Sequence, residues 1–201
     1  MLDKRRIKSV TVLVEGYAKE WGSSGWEATS TVTLVQDNGL NIICDPGTNI
    51  NALEAGLKEC GLKYSDIDWV FLTHWHPVTC LNVALFNKAK VIDSRSIYWG
   101  GRQDLHDGKI PGTDDFYIRL TPGHCADHAS LIVPLDDTVY VVAGDVFWWA
   151  ADEDQITDRK SLLEKKDSLA IDQKALRKSR ESILGTADFI IPGHGKTFKV
   201  E

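Results

Sequence analysis

Four times along the chain an apolar run of strand-forming residues ends in a turn that carries histidine or aspartate. The segments are LTHWH at 72–76, TPGHCADH at 121–128, VVAGDVF at 141–147 and IIPGHG at 190–195. One histidine at the end of one strand is ordinarily structural. Four strand ends of one kind constrain the chain much more, because neighbouring strand ends meet along one edge of a sheet, where α/β folds build their sites. Neutral imidazoles converging there with a carboxylate form a donor set for zinc or a similar borderline metal. His74 and His76 are two apart, the spacing that puts both on one face of an extended segment. Gly123 and Gly193 precede His124 and His194 and permit the tight backbone that lets a short side chain reach an ion. Asp145, after Gly144, offers the carboxylate oxygen.

The stretches between these turns read as alternating strand and helix. Val10, Val12 and Val14 mark a first strand, followed by a polar loop, WGSSGWEATS. TVTLV and LNIIC flank Asp37-Asn38-Gly39, and an Asn-Gly pair between apolar β-type runs signals a hairpin. Ile50, Leu53 and Leu57 recur at helical spacing until Gly61 stops the helix. A short helix is expected over residues 79–87. Over residues 157–184, Leu162, Leu169, Leu176 and Ile183 fall every seven residues. That predicts one helix with a single apolar stripe packed on a sheet, with a homodimer seam as the minority reading. Strands interleaved with helices favour a layered α/β sandwich over a bundle or a barrel, with residues 1–201 as a single domain.

Composition narrows the function classes. With 43% hydrophobic and 26% charged residues the chain is of ordinary globular type. It has no apolar run of the roughly 20 residues that span a bilayer. The basic opening, MLDKRRIKSV, lacks the apolar core of a signal peptide, so the expectation is a cytoplasmic protein with no membrane partner. The net charge of -6 disfavours a broad nucleic-acid surface, though a bound ion would still allow a phosphodiester substrate. Cys44, Cys60, Cys80 and Cys125 form no CxxC pair and are expected to be small core residues, with Cys80 and Cys125 closest to the histidine turns.

Taken in order, CDPG at 44–47, THWH at 73–76, TPGH at 121–124, GDVF at 144–147 and PGHG at 192–195 resemble the metallo-β-lactamase superfamily over nearly the whole chain. The resemblance implies a four-layer αββα sandwich. It implies Asp45 supporting the ligand loop, His74, His76 and His124 as a first metal site, and Asp145 and His194 as further ligands; Asp145 or His194 is expected to act as base, because both would lie near the metal-bound water. It implies hydrolysis of an ester, thioester, lactam, lactone or phosphodiester, and fold alone does not choose among these. The family motif continues with Asp and His where this chain has Val78 and Thr79. Valine cannot ligate, and threonine is a weak neutral ligand. The expectation is therefore one zinc per chain, with iron or manganese as alternatives, in a monomer or homodimer acting on a small-molecule or phosphodiester substrate. Trp75 and Trp148 are candidates to line the substrate cleft, and His128 to pack beside the site. The competing reading is a metal-binding protein of the same fold with little turnover.

Overall fold

The computed structural model describes residues 8–201; the basic opening, residues 1–7, lies outside the described residues. One sheet has seven strands: β1 (Ser9–Val14), β4 (Val32–Asp37), β5 (Leu40–Cys44), β6 (Trp69–Phe71), β7 (Lys90–Ile92), β8 (Ser96–Trp99) and β9 (Arg102–Leu105), side by side in that order. The other has five: β10 (Tyr117–Leu120), β11 (Ala129–Leu135), β12 (Thr138–Trp148), β13 (Phe189–His194) and β14 (Phe198–Lys199). Helix α1 (Ile50–Glu59) carries the chain from β5 to the parallel β6. Helices α3 (Arg159–Glu164) and α4 (Gln173–Leu184) carry it from β12 to the parallel β13.

Burial on both faces explains why the strands read as continuous apolar runs rather than alternating ones. Ile42, Trp69, Phe71, Leu131, Val142 and Ile191 point between the two sheets. Their chain neighbours Ile43 and Val70 point outward under α1, with Leu53 and Leu57. Val141 and Ile190 point outward under α3 and α4, with Leu162, Leu176 and Ile183. Three apolar interfaces between four layers make the αββα sandwich. The Asp37-Asn38-Gly39 hairpin forms as expected, with Asn38 at φ 51° and Gly39 at φ 80°, the left-handed pair that a tight two-residue turn needs.

Three local expectations are corrected. The stretch read as a polar loop is part of a hairpin, β2 (Tyr17–Trp21) with β3 (Gly25–Thr29). Its Gly22-Ser-Ser-Gly25 turn was the available signal. The helix expected over 79–87 begins earlier, as α2 (Pro77–Cys80), because proline suits the first helical turn; it then continues as a 3₁₀ segment, Leu81–Leu85. The single helix over 157–184 is two helices, capped by Asp158 and Asp172. Between them the chain leaves the helix to bury Asp167, so Leu169 drops out of the stripe and is 53% exposed. Of the cysteines, Cys44 is in the core, Cys60 is exposed and Cys80 and Cys125 are half-buried.

Candidate metal centre

The four histidine and aspartate turns meet where the two sheets come together. β6 runs into the loop of Thr73, His74 and His76; β10 runs into the turn of His124; β12 carries Asp145; β13 ends in His194. Main-chain bonds tie the surrounding loops across this seam: Ala129 N–H donates to the Thr73 carbonyl at 2.9 Å, and Thr31 N–H to the Gly193 carbonyl at 2.7 Å. His74, His76, His124 and Asp145 each offer one donor atom, all within 4.8 Å of one another. Nδ1 of His76 lies 3.0 Å from Nε2 of His74 and 3.1 Å from Nε2 of His124. Oδ2 of Asp145 lies 3.5 Å from the first Nε2 and 3.3 Å from the second. Tetrahedral zinc with bonds of about 2.0–2.1 Å requires ligand–ligand edges of about 3.3 Å, so the donor set fits such an ion.

Hydrogen bonds on the far side of the rings fix which nitrogen faces inward. Nδ1 of His74 lies 3.0 Å from Oγ1 of Thr73, whose hydroxyl and amide donate to the two oxygens of Asp45, each at 2.8 Å. With Thr73 donating to Asp45, His74 must donate from Nδ1, and its Nε2 lone pair points at the centre. His124 donates from Nδ1 to Asp167 at 2.8 Å, with the same result. Burial lowers the basicity of His124, but the Asp167 hydrogen bond and the Asp145 charge outweigh it and raise its pKa overall. Burial, then the neighbouring imidazoles, hold His74 well below the ordinary histidine value. The same causes lower His76 less, because Asp145 opposes them. Low basicity suits groups that must stay neutral to bind an ion.

His194 points its Nε2 at Oδ1 of Asp145, 3.7 Å away, while its Nδ1–H is shared between the carbonyls of Tyr17 and Thr29 at 3.1 and 3.0 Å. That Oδ1 is buried and has no hydrogen-bond partner among the described residues. Glycine is required at 193, since a Cβ there would come within 1.8 Å of the same oxygen. Val78 and Thr79 follow in α2. Thr79 is buried and its hydroxyl has no partner among the described residues, while Val78 faces an adjoining cavity. His128 is committed elsewhere: it accepts the Asp145 N–H at 3.1 Å, pairs with Thr121 at 2.9 Å and stacks on His74. Burial holds it neutral, with a pKa lowered to about 3.

The adjoining cavity has a volume of about 400 Å³ and its polar wall is His76, Asp145 and His194. Hairpin residues Ala18, Trp26 and Ala28 form one apolar side, and Pro77, Val78, Trp148 and Leu169 form the others. Trp148 thus stands in the cleft. Trp75 turns away from it, donating its indole N–H to Asp93 at 2.9 Å and packing edge-on to Tyr98. Reading the sequence alone missed the hairpin residues and Asp167. The Gly22-Ser-Ser-Gly25 turn could have exposed the former; no local signal marks Asp167, 43 residues from the histidine it holds.

The four layers and the histidine–carboxylate cluster on their shared edge define a metallo-β-lactamase fold. Among solved structures, a metallo-β-lactamase-like protein from Thermotoga maritima superimposes with a TM-score of 0.70 at 18% identity, over 96% of this chain and 99% of that one. AidC, a dizinc quorum-quenching lactonase, superimposes with a TM-score of 0.64 at 15% identity, over 84% and 74%. No family model matches the chain. Metallo-beta-lactamase domain-containing protein 1 of Xenopus laevis is 33% identical over 202 residues, covering 96% of this chain and 82% of that protein. The protein of the same name from Rattus norvegicus is 30% identical, over 96% and 87%. The chain belongs to the metallo-beta-lactamase domain-containing protein 1 family. Among the described residues no helix is long and apolar enough to cross a membrane.

Proposed function

We propose that this protein is a metal-dependent hydrolase with one zinc ion held by His74, His76, His124 and Asp145. The observation that carries the reading is the convergence of three imidazole nitrogens and a carboxylate oxygen within 4.8 Å, with Asp45 and Asp167 fixing two of the rings from behind. Zinc in such a site acidifies a water and polarises a carbonyl or phosphoryl oxygen. The residues around it supply the proton handling. Oδ1 of Asp145, buried and unpartnered, is placed to accept a proton from the attacking water. His194, its Nδ1–H held by two carbonyls, has a free Nε2 to take that proton and deliver it to the leaving group. The carboxylate 3.7 Å away stabilises the imidazolium formed in between.

One ion rather than two follows from Val78 and Thr79. Among the described residues a second ion would have only Asp145 Oδ1 and His194 Nε2, too few donors for tight binding. Elemental analysis of protein purified without added metal tests this. One equivalent of zinc, lost in His124→Ala, is expected. Val78→Asp with Thr79→His is expected to raise the content toward two equivalents. Two equivalents in the unmodified protein would overturn the mononuclear reading, and iron or manganese in place of zinc would overturn the choice of metal. Full zinc occupancy without turnover of ester or phosphodiester substrates would favour a metal-binding protein, with the change at 78–79 having removed activity.

A further inference from the structure

We infer that Arg180 is a positioning residue for the metal centre: its buried guanidinium clamps the strand that carries Asp145 to the helix break that carries Asp167, and so sets where Asp167 holds His124. The inference rests on the metal-site reading and deepens it. The first observation is where the arginine stands. Leu176, Arg180, Ile183 and Leu184 are the i, i+4, i+7 and i+8 positions of α4, the stripe that a helix turns toward a core. Leu176 and Ile183 are fully buried there, and Arg180 is buried with them, with 1% of its surface exposed and its guanidinium against the Phe147 ring. A guanidinium in a core stripe is costly unless its donors are used. The second observation is what those donors reach. Nε donates to the carbonyl of Val146 at 2.9 Å, and Nη1 donates to the carbonyl of Lys165, the residue that ends α3. Val146 directly follows the ligand Asp145 in β12, and Lys165 stands two residues before Asp167. The third is the segment so held. Residues 165–172 lie in neither helix nor strand. Ile171 and Asp172 tie its far end to the His124 turn by main-chain bonds to His124 and Gly123, and Arg180 ties its near end to β12. Burial lowers the Arg180 pKa to about 10, with the Asp167 charge opposing, so the clamp is a cation at neutral pH and favours the ionised Asp167 that accepts from His124.

Two carbonyls that point in from different elements need a fork between them. The planar guanidinium supplies Nε–H and Nη1–H at a fixed angle. A lysine ammonium is a point charge on a flexible stem and does not hold two carbonyls at a fixed separation; methionine fills the space and donates to neither. One side chain thus fixes, relative to each other, the two carboxylates that flank the His124 ring. Asp145 Oδ2 stands 3.3 Å from its Nε2, and Asp167 Oδ2 stands 2.8 Å from its Nδ1. Without the fork the near end of the break is free to shift, and Asp167 moves off Nδ1.

The test is a double-mutant cycle on zinc affinity, read by competition with a chromogenic chelator. Asp167→Ala is expected to weaken zinc binding about 10–100-fold and Arg180→Met about 10-fold. The two together are expected to weaken it no more than Asp167→Ala alone, because Arg180 acts through Asp167. A second readout follows the hydrogen bond itself. The His124 Nδ1 proton, bonded to a carboxylate, is expected as a low-field proton resonance of the zinc-loaded protein. It should vanish in Asp167→Ala and move upfield in Arg180→Lys, which keeps the charge and loses the fork. If Arg180→Met does not fold, Arg180→Lys takes its place in the cycle. Additive losses of affinity would overturn the positioning role and leave the metal site standing. So would an unmoved His124 resonance in a folded Arg180 variant, since a purely structural arginine would lower stability without touching that proton. An unmodified protein that binds no zinc would overturn the metal-site reading, and the positioning role with it.

Discussion

Asp45 touches no metal ligand, yet it decides which nitrogen of His74 faces the centre. Burial pushes its pKa up to about 8 against the two Thr73 hydrogen bonds; once ionised it accepts from both the amide and the hydroxyl of Thr73, which leaves the Thr73 oxygen to accept from His74 Nδ1. Asparagine in its place keeps the shape and tolerates the left-handed backbone, φ 52°, that Asp45 adopts. Its amide donates to Thr73, however, so the hydroxyl turns toward His74 and the imidazole proton moves to Nε2, where the ion should be. Asp45→Asn is therefore expected to lower zinc affinity about 10–100-fold, read by competition with a chromogenic chelator, with little change in thermal stability of the metal-free protein. Unchanged affinity would mean that the relay through Thr73 does not set the tautomer. The sequence exposed Asp45 only through its family motif, and Asp167, the partner of His124, not at all. A carboxylate that meets its histidine across 43 residues leaves no local pattern to read.

At the level of elements, Asp93 organises the turn between β7 and β8 and ties it to the histidine loop. It accepts from the amides of Arg95 and Ser96, the Trp75 indole and the Tyr98 hydroxyl, at 2.9, 2.9, 2.9 and 3.0 Å. Burial pushes its pKa up, but these four donors outweigh burial and hold it below the ordinary aspartate value. A carboxyl group whose pKa is depressed by folding adds stability above its unfolded value, about 3.9, and loses that contribution as pH falls through the folded value. Asp93→Asn is thus expected to cost about 1–3 kcal/mol at pH 7 by urea denaturation, with the gap to the unmodified protein unchanged down to about pH 5 and closing below pH 4. A gap that stays constant to pH 3 would show that charge plays no part. Strands flanked by strong turn chemistry, such as β4 and β5 around Asn38-Gly39, were legible in the sequence. The α3–α4 break was not. Leucines seven apart imitate a continuous stripe, and the fact that one of them, Leu169, faces a cavity depends on Asp167 being drawn inward.

At the scale of the molecule, the centre joins two sheets that also meet through apolar packing and a few main-chain hydrogen bonds between their loops. His74 and His76 follow β6 of the seven-stranded sheet and His124 follows β10 of the five-stranded one, whose β12 and β13 carry Asp145 and His194. This much was readable before any coordinates, because a site that draws on distant segments has to repeat its strand-then-turn pattern in each of them. The sandwich follows from the doubly apolar strands; the cavity does not, because its walls come from an unrecognised hairpin and a helix break. An ion bound across the seam stabilises only the state in which both sheets are docked, so its binding free energy is added to the folding of the whole chain. Free zinc at about a thousand times its Kd should contribute about 4 kcal/mol, or on the order of 10 °C in Tm for a chain of this size. Calorimetric scans with zinc and with a chelator are expected to differ by that shift in a single transition. If the chelator instead splits the transition in two, the sheets fold independently and the centre is carried by one of them. If it leaves Tm unchanged, the histidine cluster does not hold zinc.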